Sequence, residues 1–192
     1  MIITIDPETH ICRVGGQKVP SVTGIIKSAG LIDTDWFNEA AAWRGSVVHR
    51  VCELDDKGTL DDGSVDPGAA GYLAAWRACK RNLGLVVIGI EEPRYNEEFH
   101  YCGTPDRLLR LPDGSMAIGD LKTGAAQKWH AIQTAAYVHL YPFPSSFKRF
   151  TFRLFGDGRY MVTEYKSAAM PSDWAAFQGM LAVQNWRKIN GA

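Results

Sequence analysis

Two rhythms of apolar positions organise the chain, one returning roughly every three to four residues as a helix requires, the other every second residue as a strand requires. Ile3, Ile5, Ile11 and Val14 stand between turn formers and predict two short strands in residues 1–20, around Gly15-Gly16. Ser21 to Ala29 reads as a short helix, capped by Ser21 or Thr23 and stopped by Gly30. A longer helix is predicted from Asp35 to about Leu54. The acidic runs Asp55-Asp56-Lys57-Gly58 and Asp61-Asp62-Gly63 read as a solvated loop. Beyond Pro67, Tyr72, Leu73, Trp76 and Leu83 recur at helical spacing.

At Val86 the texture changes. Residues 86–92, 98–111 and 115–122 are strand-like, separated by Arg94-Tyr95-Asn96 and Pro112-Asp113-Gly114. The second separator is a turn with a mechanism, because Pro presets φ and Gly permits positive φ. Trp129 to Tyr141 is helical and ends before Pro142. Lys148–Phe155 and Arg159–Lys166 form a hairpin across Gly156-Asp157-Gly158, and Pro171 to Ile189 closes the chain as a helix. Without repeats or a low-complexity linker, residues 1–192 read as one α/β (α+β) domain with a mostly antiparallel sheet.

Composition narrows the class. At 192 residues, 46% hydrophobic and 22% charged, the chain is ordinary globular protein, able to bury about 70% of its unfolded surface. Lysines plus arginines (21) equal aspartates plus glutamates (21), which argues against a non-specific duplex coater but not against a nucleic-acid enzyme whose carboxylates need offsetting. The start, Met1 to Asp6, is read as too soon polar for a signal peptide. No apolar run approaches the ~20 residues of a membrane span. A soluble intracellular protein is expected. Cys12, Cys52, Cys79 and Cys102 lie far apart with no CxxC pair and are expected to be free thiols.

The sharpest chemistry lies in Gly103-Thr104-Pro105-Asp106 and Gly119-Asp120-Leu121-Lys122. If Pro112-Asp113-Gly114 is a three-residue hairpin loop, Leu111 pairs with Ser115, Arg110 with Met116, Leu108 with Ile118, Asp106 with Asp120 and Thr104 with Lys122. Directly opposed residues share a sheet face with Cβ atoms ~5 Å apart. Opposed carboxylates destabilise a hairpin, and a divalent cation is the simplest reason to keep them, since Mg²⁺ binds through one or two carboxylates. A two-residue loop would set Asp106 opposite Leu121 and dissolve the cluster, and Pro105 signals a bulge or an edge. The bland alternative makes the two aspartates strand-end caps and Lys122 a surface charge.

Gly45, His49 and Glu53 fall on one helical stripe, and Val47, Val51 and Leu54 on the stripe that would pack against the sheet. Gly45 inside a helix costs ~1 kcal/mol relative to Ala, which makes sense if a backbone or phosphate approaches there. His49 is thus either a structural histidine or a metal ligand. Gln133 and Tyr137 are one turn apart, with His130 near their face. They form either a partly buried amide–phenol pair or a hydrogen-bonding pair for a lysine, phosphate or base.

Together these residues resemble the PD-(D/E)xK nuclease superfamily, in its RecB-like, phage-type exonuclease branch. The likeness is carried by Pro105-Asp106, Asp120-Leu121-Lys122, Arg44-Gly45-Ser46-Val47-Val48-His49 with Glu53, Gln133-Thr134-Ala135-Ala136-Tyr137, and the leading Val19-Pro20-Ser21-Val22-Thr23-Gly24-Ile25-Ile26. It spans roughly residues 19 to 141. It implies a restriction-endonuclease-like αβββαβ core, a mixed central sheet flanked by helices. It implies one or two Mg²⁺ or Mn²⁺ ions ligated by His49, Asp106, Asp120 and the main-chain carbonyl of Leu121. Lys122 would polarise the attacking water, Gln133 and Tyr137 would steady that lysine or the DNA backbone, and Arg44 would meet a phosphate. Glu53, Glu91 and Glu92 are lesser candidates for a second ion. Some relatives hold an iron–sulfur cluster with three late cysteines; no cysteine follows Cys102, so none is expected. A zinc site joining His10-Ile11-Cys12 to His100-Tyr101-Cys102 would need two strand-borne pairs to meet, and coincidence is the preferred reading.

The expected activity is metal-assisted hydrolysis of DNA phosphodiesters by an exonuclease of recombination, repair or phage DNA processing, in a bacterial cytoplasm. A recombinase, single-strand-binding protein or helicase is a conceivable partner. The alternatives are a structure-specific endonuclease with the same site and a non-catalytic nucleic-acid-binding module. A basic groove is expected near Arg44, Arg50, Arg107 and Lys128.

Overall fold

The computed structural model describes residues 2–6, 11–32 and 39–191. In chain order the elements are β1 (Ile3–Ile5), β2 (Cys12–Val14), β3 (Gln17–Val19), α1 (Val22–Ser28), α2 (Glu39–Asp56), α3 (Pro67–Leu83), β4 (Val86–Ile90), β5 (Arg94–Asn96), β6 (Tyr101–Gly103), β7 (Arg107–Arg110), β8 (Met116–Lys122), α4 (Trp129–Val138), β9 (Phe147–Leu154), β10 (Tyr160–Tyr165) and α5 (Met170–Asn190). The helices end where local chemistry ends them. Ser21 Oγ accepts from the Gly24 amide at the start of α1. Asp66 does the same for Gly68 ahead of α3, with Pro67 in the first turn, and Gly84 closes that helix at φ 61°.

The central sheet has five strands in the order β10-β9-β8-β7-β4. β4, β7 and β8 run antiparallel by consecutive pairing, α4 crosses over, and β9 returns parallel to β8. This is a mixed sheet flanked by helices, with the αβββαβ order running α2–β4–β7–β8–α4–β9. On one face Ala117 and Leu121 of β8 join Leu109, Phe152 and Leu154 under Val48, Val51, Cys52, Leu73 and Trp76 of α2 and α3. On the other, Ile118 packs with Ile25 and Ile26 of α1, Tyr137 of α4 and Phe177 and Leu181 of α5. The alternation is that of a strand buried on both sides. Gly119 is required there, since a Cβ would stand 2.8 Å from Leu109 and Phe152 side-chain carbons.

Several expectations are corrected. Residues 1–20 hold three strands rather than two, because β1 also finds a partner across residues that lie outside the described set. The helix expected from Asp35 is described only from Glu39. Arg94–Asn96, expected as a separator, is β5 and pairs with β6. The long strand expected over 98–111 breaks between Gly103 and Arg107, at the Pro105 that can donate nothing to a ladder. Asp55 and Asp56 are not solvated loop. They end α2, where Lys80 pairs with both, Arg77 with Asp55, and Arg107 with Asp56. Cys12 and Cys102 are joined as a disulfide, Cα–Cα 6.7 Å, with 90 residues between them, while Cys52 and Cys79 are free and buried. Among the described residues no helix is long and apolar enough to cross a membrane.

Candidate metal centre

The register of the β7–β8 hairpin determines what meets what. Arg110 faces Met116, Leu108 faces Ile118 and Arg107 faces Gly119, as a three-residue turn requires. Leu111 donates to Ser115 and Gly114 sits at φ 82°. The ladder stops one pair short of Asp106 and Asp120. Asp106 instead turns its carboxylate to the main chain, Oδ2 accepting from the Leu121 amide at 2.6 Å. Its own carbonyl accepts from the Glu91 amide at 3.1 Å. That contact brings the end of β4 against the start of β7, helped by a bulge between Val87 and Gly89 and by Glu91 at φ 51°. A non-glycine residue at such an angle is uncommon and marks a constrained position.

On the helical side, α2 lays His49 over the end of β8. Its Nε2 is 3.1 Å from the Leu121 carbonyl and serves as donor. Nδ1 then faces Glu91 Oε1 at 3.6 Å and Asp106 Oδ2 at 3.7 Å. The ligand atoms of His49, Glu91 and Asp106 all lie within 4.8 Å of one another. Burial disfavours the His49 imidazolium, but the Asp106 and Glu91 carboxylates outweigh it and push the group up to about 9. Without a cation, the proton takes the cation's place among the acids.

Asp120 stands beside this trio, 1% exposed. The Lys122 ammonium lies 2.8 Å from Oδ2, yet neither carboxylate oxygen, both buried, has a hydrogen bond of good geometry. Burial raises the Asp120 carboxyl, Lys122 opposes that and Asp106 adds to it. Burial would lower Lys122, but Asp120 and Asp106 hold it above the usual lysine range. Orphaned buried carboxylate oxygens are rare and expensive. Next to an imidazole nitrogen and two further carboxylates they form a donor set suited to Mg²⁺ or Mn²⁺. The residues fit the group.

The other sequence-predicted residues are distributed unevenly. Gln133 Nε2 donates to Tyr137 Oη at 3.1 Å, not to Lys122, and Gln133 Oε1 is buried without a partner. Burial first, then Asp120 and Asp106, raise the Tyr137 hydroxyl far above its usual range. Tyr137, Glu91, Thr23, Lys27 and Thr104 line a cavity of about 460 Å³ beside the trio. Arg44 precedes Gly45, which approaches Thr123 at the end of β8. Arg44 Nε is buried without a hydrogen bond. Glu53 is held by Arg50 and Lys57, and Glu92 by Arg94; neither belongs to the trio. The expected basic groove does not use Arg107, which is fully buried against Asp56 and the Asp106 carbonyl, nor a free Arg50.

Glu91, a lesser candidate from the sequence, stands within reach of His49 and Asp106, while Glu92 does not, a distinction that two adjacent glutamates at a strand end do not carry in sequence. Arg107, expected in a basic groove, instead turns its Nη1 toward Glu91 at 3.5 Å. The halves of the suspected zinc site do meet at their cysteines, but His100 is hydrogen-bonded to Tyr95 at 2.6 Å and His10 lies outside the described residues.

No protein-family model and no curated protein matches the chain. Among solved structures it is similar to SSO0001, at 16% identity over 82% of each chain with a TM-score of 0.33. It is also similar to an alkaline exonuclease, LHK-Exo, from Laribacter hongkongensis, at 13% identity over 89% of this chain and 92% of that one, TM-score 0.34. The complex of LHK-Exo with dAMP gives 13% identity over 90% and 93%, TM-score 0.34. Likeness at this level assigns no chemistry to the chain, and its site is read from its own residues.

Proposed function

We propose that residues 1–192 act as a single metal-dependent deoxyribonuclease domain, an exonuclease hydrolysing DNA phosphodiesters in recombination, repair or phage DNA processing. One observation carries this reading: His49, Glu91 and Asp106 converge from a helix and two strand ends beside a buried Asp120 that faces the Lys122 ammonium. His49 Nδ1, Glu91 and Asp106 would hold one Mg²⁺ or Mn²⁺, with Asp120 adding a ligand or serving a second ion. Such an ion supplies Lewis acidity at a phosphoryl oxygen and lowers the pKa of its water.

The chain's own residues do the rest. The Leu121 carbonyl fixes the imidazole by accepting from Nε2, which leaves Nδ1 as the lone-pair nitrogen. The Leu121 amide fixes Asp106. Lys122 places a permanent positive charge where negative charge builds on the phosphate. Asp120 keeps that ammonium charged and in place. Gln133 and Tyr137 form a hydrogen-bonding pair that meets the DNA backbone, and Arg44 meets a phosphate. A recombinase, helicase or single-strand-binding protein would supply the DNA end.

The test is cleavage of end-labelled linear DNA with Mg²⁺ or Mn²⁺, with and without chelator, beside Asp120→Ala and Lys122→Ala. Nucleotide release that disappears with chelator and in both variants is expected. Release that survives both would end the assignment, and tight binding without turnover would favour a non-catalytic binding module. Circular DNA left intact marks the exonuclease, and nicked circles mark an endonuclease.

A further inference from the structure

β9 places Arg153 directly beside Lys122 of β8, in parallel register. Residues so paired project from the same face of a sheet, and like charges set side by side are unfavourable. Lys122 has Asp120 to offset it. Among the described residues Arg153 has no such partner: its Nε is buried with no hydrogen bond, and its guanidinium rests over the Phe155 ring at 5.1 Å. Phe155 carries Arg159 as well, 5.6 Å from its centroid. The aromatic contact supports the Arg153 guanidinium without giving its Nε an acceptor.

A half-buried, unpaired guanidinium next to another cation is a costly arrangement that an anion would resolve. Arg44, on the α2 side of the end of β8, shares the feature of a buried Nε without a partner. Arg44 thus adjoins Thr123 through its neighbour Gly45, and Arg153 stands beside Lys122 from the neighbouring strand.

We infer that Arg153 is a substrate-positioning residue that holds a backbone phosphate of the nucleic-acid strand adjacent to the reacting one, so that the strand crosses the end of β8 from α2 toward β9. The inference rests on the nuclease reading. A guanidinium fork gives two parallel hydrogen bonds to a phosphodiester's non-bridging oxygens, and because every nucleotide offers them the contact is sequence-independent.

The experiment measures equilibrium binding of a short fluorescein-labelled single-stranded oligodeoxynucleotide to the full chain across a salt series, with Ca²⁺ in place of Mg²⁺. Wild type is run beside Arg153→Gln, Arg153→Lys and Arg13→Gln, the last an exposed arginine of β2. Arg153→Gln is expected to weaken binding about tenfold at low salt and to lower the salt slope by about 0.7, one phosphate's worth. Arg153→Lys keeps the charge and hence the slope, but loses part of the affinity with the fork. Arg13→Gln leaves both unchanged. Wild-type affinity and slope in a folded Arg153→Gln overturns the inference alone, while a wild type that binds no DNA at any salt removes the nuclease reading with it. Should Arg153→Gln not fold, undiminished affinity in Arg153→Lys overturns the inference by itself.

Discussion

Two polar clusters meet at the sheet, and they differ in how well their charges are satisfied. At the α2–α3 end, Asp55 and Asp56 are bound by Arg77, Lys80, Arg107 and the Trp76 indole. Every acid there has its base. At the end of β8, by contrast, Asp120 is matched only by the Lys122 ammonium, its two buried oxygens lack a hydrogen bond of good geometry, and Gln133 Oε1 and Arg153 Nε are buried without a partner among the described residues. Arg107 joins the two clusters, with Nε on Asp56 and Nη1 toward Glu91, and its remaining Nη2 is unsatisfied. A buried cluster whose acids are all matched by bases serves the fold. One left unsaturated against its own stability is where a ligand is expected.

The comparison breaks most visibly in activity. Asp120→Ala is expected to lower DNA cleavage by about 10³-fold or more, as loss of a transition-state charge partner does, with the melting temperature unchanged or raised. Cleavage near the wild-type rate would show that Asp120 belongs to the fold. The reciprocal experiment is Asp56→Asn, which breaks a buried pair and should cost about 3–5 kcal/mol of stability in denaturant unfolding. A loss under 1 kcal/mol would erase the distinction between the clusters.

A smaller effect follows from pH. The folded His49 pKa of about 9 lies above its unfolded 6.5, so its stabilisation is full below 6.5 and is lost as pH rises through 9. The melting temperature of the metal-free protein should therefore decline across that window, and the decline should be shallower in His49→Gln. Equal slopes would remove the ion-pair role of the imidazole. The least effect is expected at Glu92, half exposed and paired only with Arg94. Glu92→Gln should change stability by no more than about 0.5 kcal/mol and leave Mn²⁺ affinity alone, whereas a large loss of affinity would mean that the two adjacent glutamates exchange roles.

What could be read from sequence was what local chemistry sets. Pro112-Asp113-Gly114 specifies the hairpin loop, and counting from it gave the Leu108–Ile118 pairing and the approach of Asp106 to β8. The helical stripe aligned Gly45, His49 and Glu53; in the structure His49 lies against Leu121, whereas Glu53 pairs with Arg50 and Lys57. The failures are all non-local. Asp56 looks like loop until Lys80 and Arg107 arrive from 24 and 51 residues away. Cys12 and Cys102 carry no spacing signal across 90 residues. Glu91 enters the site only because the β4 bulge and its positive φ redirect it. Arg153 becomes visible once β9 is known to pair parallel with β8.

Binding of Mn²⁺ to the intact chain, followed through the electron paramagnetic resonance of the free ion, tests the central claim most directly. Wild type should take up the ion saturably, and Glu91→Gln, Asp106→Asn and His49→Gln should each weaken uptake about tenfold or more while remaining folded. Uptake of the same strength in all four proteins, or none in the wild type, would contradict a shared ion between this helix and these strands.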